Sequence, residues 1–187
     1  RNTVAELRSR DFLTTQNLVV SREAFDSIGG FDQALGSGED KDFTVRLSAR
    51  RWRCALSPAL QAEHLGAERT LVEFSRKEWW RQREALALAA KHGFPVRLVR
   101  FPVVALAIFW LLLLALVLLP VEPRLFPAAF FPAVVAGFVW GWLKSEKTLP
   151  TRHKLVIGAV SVLRFCIAGC ALTLDLVRRF RQGKRRR

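Results

Sequence analysis

The chain has 187 residues, 51% of them hydrophobic, and a formal net charge of +14. Residues 1–100 hold 17 Lys/Arg against 13 Asp/Glu, a net +4, and the remainder holds 13 against 3, a net +10. The basic residues of the second part flank apolar stretches rather than an aromatic-lined groove, which argues against nucleic acid as a partner; the three cysteines, Cys54, Cys166 and Cys170, have no zinc-site or redox-pair spacing.

Thr14 to Val20 reads as a short strand. Ser21 follows as the N-cap of a helix through Ser27-Ile28, with Glu23 in its first turn. Gly29-Gly30 stops that helix, and Phe31 and Leu35 fold back as apolar plugs. Gly36-Ser37-Gly38 is a loop that lets backbone approach a ligand. Glu39 and Asp40 open the next helix. Its acids, including Asp42, lie at the start and Arg46, Arg50 and Arg51 toward the end, as the helix dipole favours. Asp42 and Arg46 have the spacing of an exposed i,i+4 pair, and Phe43 and Leu47 share a face. Arg51 to Leu56 alternates as a half-buried strand that Pro58 ends, and His64 stands at the end of a second alternating run.

Thr70-Leu71-Val72-Glu73 is a capping box that opens one long helix to Lys91-His92, with Gly93 and Pro95 as its stop. Trp79 and Trp80 lie among Arg76, Lys77, Arg81 and Arg83, a mixture that suits a membrane interface. Phe101–Leu119 and Leu125–Leu143 are uncharged. At about 1.5 Å per residue, each approaches the thickness of a bilayer core of about 30 Å. Lys144–Lys154 is a basic loop, which the positive-inside rule places in the cytoplasm. Leu155–Val177 is apolar but contains Arg164 and Asp175. A central arginine costs about 2.5–3.5 kcal/mol on insertion scales. This segment is therefore expected to be re-entrant or interfacial, leaving two spans and the basic tail, 178–187, in the cytoplasm.

One ordered run carries more than any single piece. It comprises Asn17-Leu18-Val19-Val20, Arg22-Glu23-Ala24-Phe25, Ile28-Gly29-Gly30-Phe31-Asp32, Gly38-Glu39-Asp40, Asp42, Arg46-Leu47, Pro58 and His64. It resembles the second half of a family 2 glycosyltransferase domain, over about Thr14 to Gly93. The resemblance implies an α/β fold of the GT-A type, acting with inversion, followed by an α-helical membrane region. Residues 1–93 would be the C-terminal part of the transferase domain, and 94–187 the membrane region. It implies Asp40 as general base, with Gly38 and Glu39 shaping the acceptor pocket. Trp80, Arg81 and Gln82 would contact the donor's diphosphate, and His64 would reach a metal or the diphosphate. The cofactor implied is a divalent metal, Mg or Mn, held mainly by an acidic motif upstream. Arg1 to Phe12 is too short for a nucleotide fold, so the chain is expected to be an incomplete fragment.

The chemistry needs little more. A base takes the acceptor hydroxyl's proton as attack develops. A diphosphate leaves without the second carboxylic acid that a glycosidase requires. The expected function is transfer from a nucleoside diphosphate sugar to a lipid-linked or membrane-proximal acceptor. The place is the cell (inner) membrane, with membrane lipid as a partner and the catalytic part cytoplasmic. The contrasting reading is a non-catalytic membrane protein whose basic loop and tail bind anionic lipid or a partner.

Overall fold

The computed structural model describes residues 5–6, 12–57, 59–60 and 68–185. Its helices are α1 (Arg22–Ser27), α2 (Glu39–Ala49), α3 (Leu71–Gln82), α4 (Ala85–Lys91), α5 (Val96–Val121), α6 (Phe126–Lys144) and α7 (Thr151–Arg185). The expected α/β GT-A fold is not what forms. The described residues contain one antiparallel pair of two-residue strands, β1 (Ala5–Glu6) and β2 (Ala55–Leu56), and no parallel sheet. Within the stretch expected as the first strand, Thr15–Asn17 is a 3-10 turn. Strand propensity is realised only against a neighbouring strand, and among the described residues Thr14–Val20 has none.

The first part is built around aromatic packing. Phe43 is fully buried, stacked on Phe31 at 4.5 Å and flanked by Phe25 at 5.8 Å. Gly30 makes this stacking feasible. Its φ of +69° is left-handed, and a Cβ there would lie 2.7 Å from the Phe25 ring. The chain thus turns sharply over Phe25 and drops Phe31 onto Phe43. Ser21 caps α1 as expected, its Oγ accepting from the Ala24 N–H. Thr70 caps α3 through the Glu73 N–H, but the Glu73 carboxylate reaches the Arg69 N–H instead of closing the box. The long helix expected from Thr70 is two helices. The break at Arg83-Glu84 turns the Glu84 carboxylate toward the Gly36 and Ser37 N–H groups.

The second part is a bundle of α5, α6 and α7, each long and apolar enough to cross a membrane. Small residues set the spacing. A Cβ on Gly169 of α7 would collide with Phe109 of α5, and one on Gly141 of α6 with Ser161 of α7. Close backbone approach of this kind is how apolar helices associate where burial from water gives no gain. Phe101 meets Phe165, and Gly169 meets Ala105 and Phe109, so α5 and α7 run in the same direction with α6 antiparallel.

The segment expected to be re-entrant is one unbroken helix of 35 residues. Arg164 is level with Phe101, the sixth residue of α5, and stacks over that ring at 4.6 Å. Its Nε donates to Glu78 of α3 at 3.0 Å. Asp175 is paired with Arg179 at 2.7 Å. The arginine cost assumed a lone charge at bilayer depth. Here the charge stands at one end of the bundle with a carboxylate partner. The 145–150 loop and residues 178–181 consequently lie at opposite ends. With the native cysteines replaced, Glu146→Cys and Arg181→Cys should label from opposite faces of a sealed vesicle. Labelling from one face would mean that α7 does not span.

Candidate active site

Gly38 sets the direction of α2. Its φ is +76°, and a Cβ on it would come within 3.1 Å of Leu88. A side chain is therefore disfavoured both by backbone conformation and by the close approach of α4. Glu84 pins the preceding loop by accepting from the Gly36 N–H at 2.8 Å and the Ser37 N–H at 3.3 Å. Loop, α2 and the α3–α4 break thus form one unit, and Glu39 and Asp40 emerge half-buried on its first helical turn. Asp40 Oδ1 accepts from the Lys41 N–H at 2.7 Å, and the Asp40 carbonyl accepts from Thr44 Oγ1 at 2.8 Å. These bonds fix where the carboxylate starts from and leave it at the surface of the fold.

Asp42 behaves differently from the exposed pair expected of it. It is fully buried, and two cationic side chains and one imidazole converge on it. Arg46 Nε donates at 2.7 Å and Lys91 Nζ at 2.6 Å, while His92 Nε2 lies at 2.8 Å. Lys91 also reaches Asp32 at 2.7 Å, and the Arg46 guanidinium donates to the Ile28 carbonyl at 2.7 Å. Burial alone would raise the Asp42 pKa. Hydrogen bonds from Lys91, His92 and Arg46 outweigh burial and hold it below the usual carboxylate range. For Lys91 burial works downward, and the bonds to Asp32 and Asp42 raise it net. This cluster fastens α2 and the Gly-Gly-Phe-Asp turn to the end of α4.

Beside Asp40 lies a cavity of about 200 Å³ with an unusual lining. Ser37, Gly38 and Lys41 form one wall, Arg81 and Gln82 of α3 another, and α5 and α7 close it with Arg97, Phe101 and Arg164. Glu78 of α3 organises the helix behind it. This residue is 1% exposed, and its Oε1 accepts from Gln82 Nε2 at 2.8 Å and from Arg164 Nε at 3.0 Å. Arg81 bonds Glu68 at 2.9 Å. A larger cavity of about 400 Å³ opens at Leu18–Val20 and Trp52–Cys54, but none of Gly38 to Asp42 lines it.

Of the residues singled out by sequence, Gly38, Arg81 and Gln82 come together in the smaller cavity. Asp40 and Glu39 stand on the adjoining helical turn, and Trp80, 45% exposed, does not line the cavity. His64 lies outside the described residues. Among the described residues no group of three or more His, Cys, Asp or Glu could hold a metal ion, so the expected divalent metal finds no ligand set there. Sequence reasoning missed Lys41, Glu78, Glu84, Arg97 and Lys91. Charge in a helix pattern reads as a solvated face, and only the fold turns these side chains toward their partners.

A family model described as Glycosyl transferase family 21 matches residues 2–179. No curated protein and no solved structure matches the chain. The motif run resembles family 2 and the matching model is that of family 21; glycosyl transfer is common to both.

Proposed function

The chain belongs to glycosyl transferase family 21, and on that basis we propose that it moves a sugar from a nucleoside diphosphate sugar to a lipid-linked or membrane-proximal hydroxyl, with inversion. The observation that carries this is the family match extending over both the Gly38-Glu39-Asp40 turn and the three membrane-capable helices. Asp40 is the general base. It takes the proton of the acceptor hydroxyl as the oxygen bonds to the anomeric carbon. The bond from that carbon to the donor's diphosphate breaks on the opposite face, and the leaving group takes the electron pair. Glu39 and Gly38 border the acceptor, and Trp80, Arg81 and Gln82 are the remaining substrate contacts. The Arg81 side chain is 42% exposed, so it has an open side for the diphosphate besides the side that lines the cavity. A divalent metal belongs to the proposal on ligands outside the described residues, and no step here passes through it.

The fold supports a membrane-proximal acceptor. Phe101, Trp140 and Phe165 form an aromatic cluster at one end of the bundle, with Arg100, Lys144 and Arg164 over its rings. Aromatic and basic residues grouped at a span's end mark the membrane–water boundary. The transferase part packs there through α3 and α7. We place the protein in the cell (inner) membrane with this end in the cytoplasm.

The test is transfer of labelled sugar from nucleoside diphosphate sugars into the lipid extract of membranes carrying the full-length protein. Label should appear in lipid, and the product anomer should be opposite to that of the donor. A product with the donor's anomeric configuration would overturn inversion. Label confined to water-soluble products would overturn the lipid acceptor.

A further inference from the structure

We propose that the cavity bounded by α2, α3, α5 and α7 is a binding site for the phosphoryl group of a membrane lipid, with Lys41, Arg97 and Arg164 as its cations and Ser37 as a hydrogen-bond donor. The cavity shares Gly38, Arg81 and Gln82 with the proposed substrate site, so the inference deepens that reading, while its test reads binding and not turnover.

The lining carries four cations, and among the described residues the carboxylates that pair with any of them are Glu78, on Arg164 and Arg81, and Glu68, on Arg81. Among the described residues neither Lys41 nor Arg97 forms a salt bridge, whereas Arg81 and Arg164 do. Arg97 stacks its guanidinium over Phe12 at 5.5 Å, an arrangement that leaves its N–H edge for an acceptor. Burial pushes the Lys41 ammonium below the usual lysine range, and the charge of Asp40 only partly opposes this. Ser37 is the independent sign of a ligand. It is 2% exposed, lines the cavity, and its Oγ has no hydrogen-bond partner among the described residues. Buried hydroxyls are ordinarily bonded. A phosphoryl group supplies what is missing: negative charge for two cations and several acceptor oxygens for forked guanidinium and hydroxyl donors.

The position selects a lipid as the source. Leu98, Phe101 and Pro102 of α5 form the apolar wall, level with the aromatic and basic cluster that marks the boundary. Immediately beyond that wall α5 presents Val103 and Trp110, both more than half exposed. A headgroup held at Lys41 and Arg97 would leave its acyl chains beside this apolar face.

The experiment titrates the full chain in detergent micelles and counts adducts by native mass spectrometry. The probes are dihexanoyl phosphatidic acid, dihexanoylglycerol and uridine diphosphate. Phosphatidic acid should bind and dihexanoylglycerol should not. Lys41→Gln with Arg97→Gln should weaken the phosphatidic acid at least about tenfold. Ser37→Ala, which keeps every charge, should weaken it about threefold or more. Arg178→Gln with Arg181→Gln removes the same charge at the far end of α7 and should change binding less than about twofold. An equal loss from the distal pair would reduce the effect to diffuse attraction and overturn the proposal. So would equal binding of dihexanoylglycerol. Displacement of the lipid by uridine diphosphate, with both lost in the Lys41/Arg97 variant, would reassign the cavity to the donor. Each outcome is read without turnover, so it stands apart from the fate of the proposed reaction.

Discussion

Asp40→Asn is expected to slow sugar transfer by about 10²–10⁴-fold, the usual worth of a positioned general base. The substitution preserves size and retains an oxygen to accept from the Lys41 N–H, the one hydrogen bond the carboxylate makes among the described residues. Thr44 bonds the Asp40 carbonyl, which the change does not touch. Folding and donor affinity should therefore move little. Only the capacity to take a proton is lost, so the fall should appear in kcat. A suitable control is Asp26→Asn. It removes an exposed i,i+4 pair with Arg22, at 3.6 Å, worth about 0.2–0.5 kcal/mol. The measurement is acceptor-dependent turnover of the full-length protein, with donor binding alongside. Turnover of Asp40→Asn at the wild-type rate would remove Asp40 from its role.

Asp42→Ala should be the most destabilising single change in the first part of the chain, at about 3 kcal/mol or more. The reason is asymmetry. The carboxylate has no exposure, while Arg46, Lys91 and His92 are partly open to solvent. Removing it takes the shared acceptor from three converging donors at a junction between α2 and α4, leaving Lys91 only Asp32 and Arg46 only the Ile28 carbonyl among the described residues. Activity should fall with the folded fraction, since α2 carries Asp40, and substrate affinity of the surviving fraction should be unchanged. Acid should reproduce part of the effect. The Asp42 pKa is held down in the folded state, so its contribution is present above the unfolded carboxylate value of about 3.9 and is lost as pH falls through the lower folded value. Thermal denaturation in detergent across that acidic range, compared between wild type and Asp42→Ala, should show the difference narrowing as pH drops. A constant difference, or a loss under about 0.5 kcal/mol, comparable to an exposed pair, would refute the hub.

Much of the local structure was legible in advance because it depends on neighbours along the chain. The Ser21 and Thr70 caps, the Gly38 start of α2 and the two uncharged spans follow from side-chain chemistry within a turn or from continuous apolar length. The glycosyltransferase reading came the same way, from an ordered run of short motifs, and the family match supports it at that level. The α/β fold did not follow. A strand needs a partner strand, and no local pattern in Thr14–Val20 or Arg51–Leu56 says whether one is present. Charge was the other failure. Asp42 and Arg46 at i,i+4 look the same in sequence whether exposed or buried. It took the packing of α4 to bring Lys91 and His92, 49 and 50 residues away, onto that carboxylate. Arg164 looked prohibitive within an apolar segment, until the pairing with Glu78, 86 residues earlier, placed it at the end of the bundle. Caps and apolar length are local and so are written in the order of residues; the state of a charge depends on what the fold sets opposite it, and only the tertiary structure decides that.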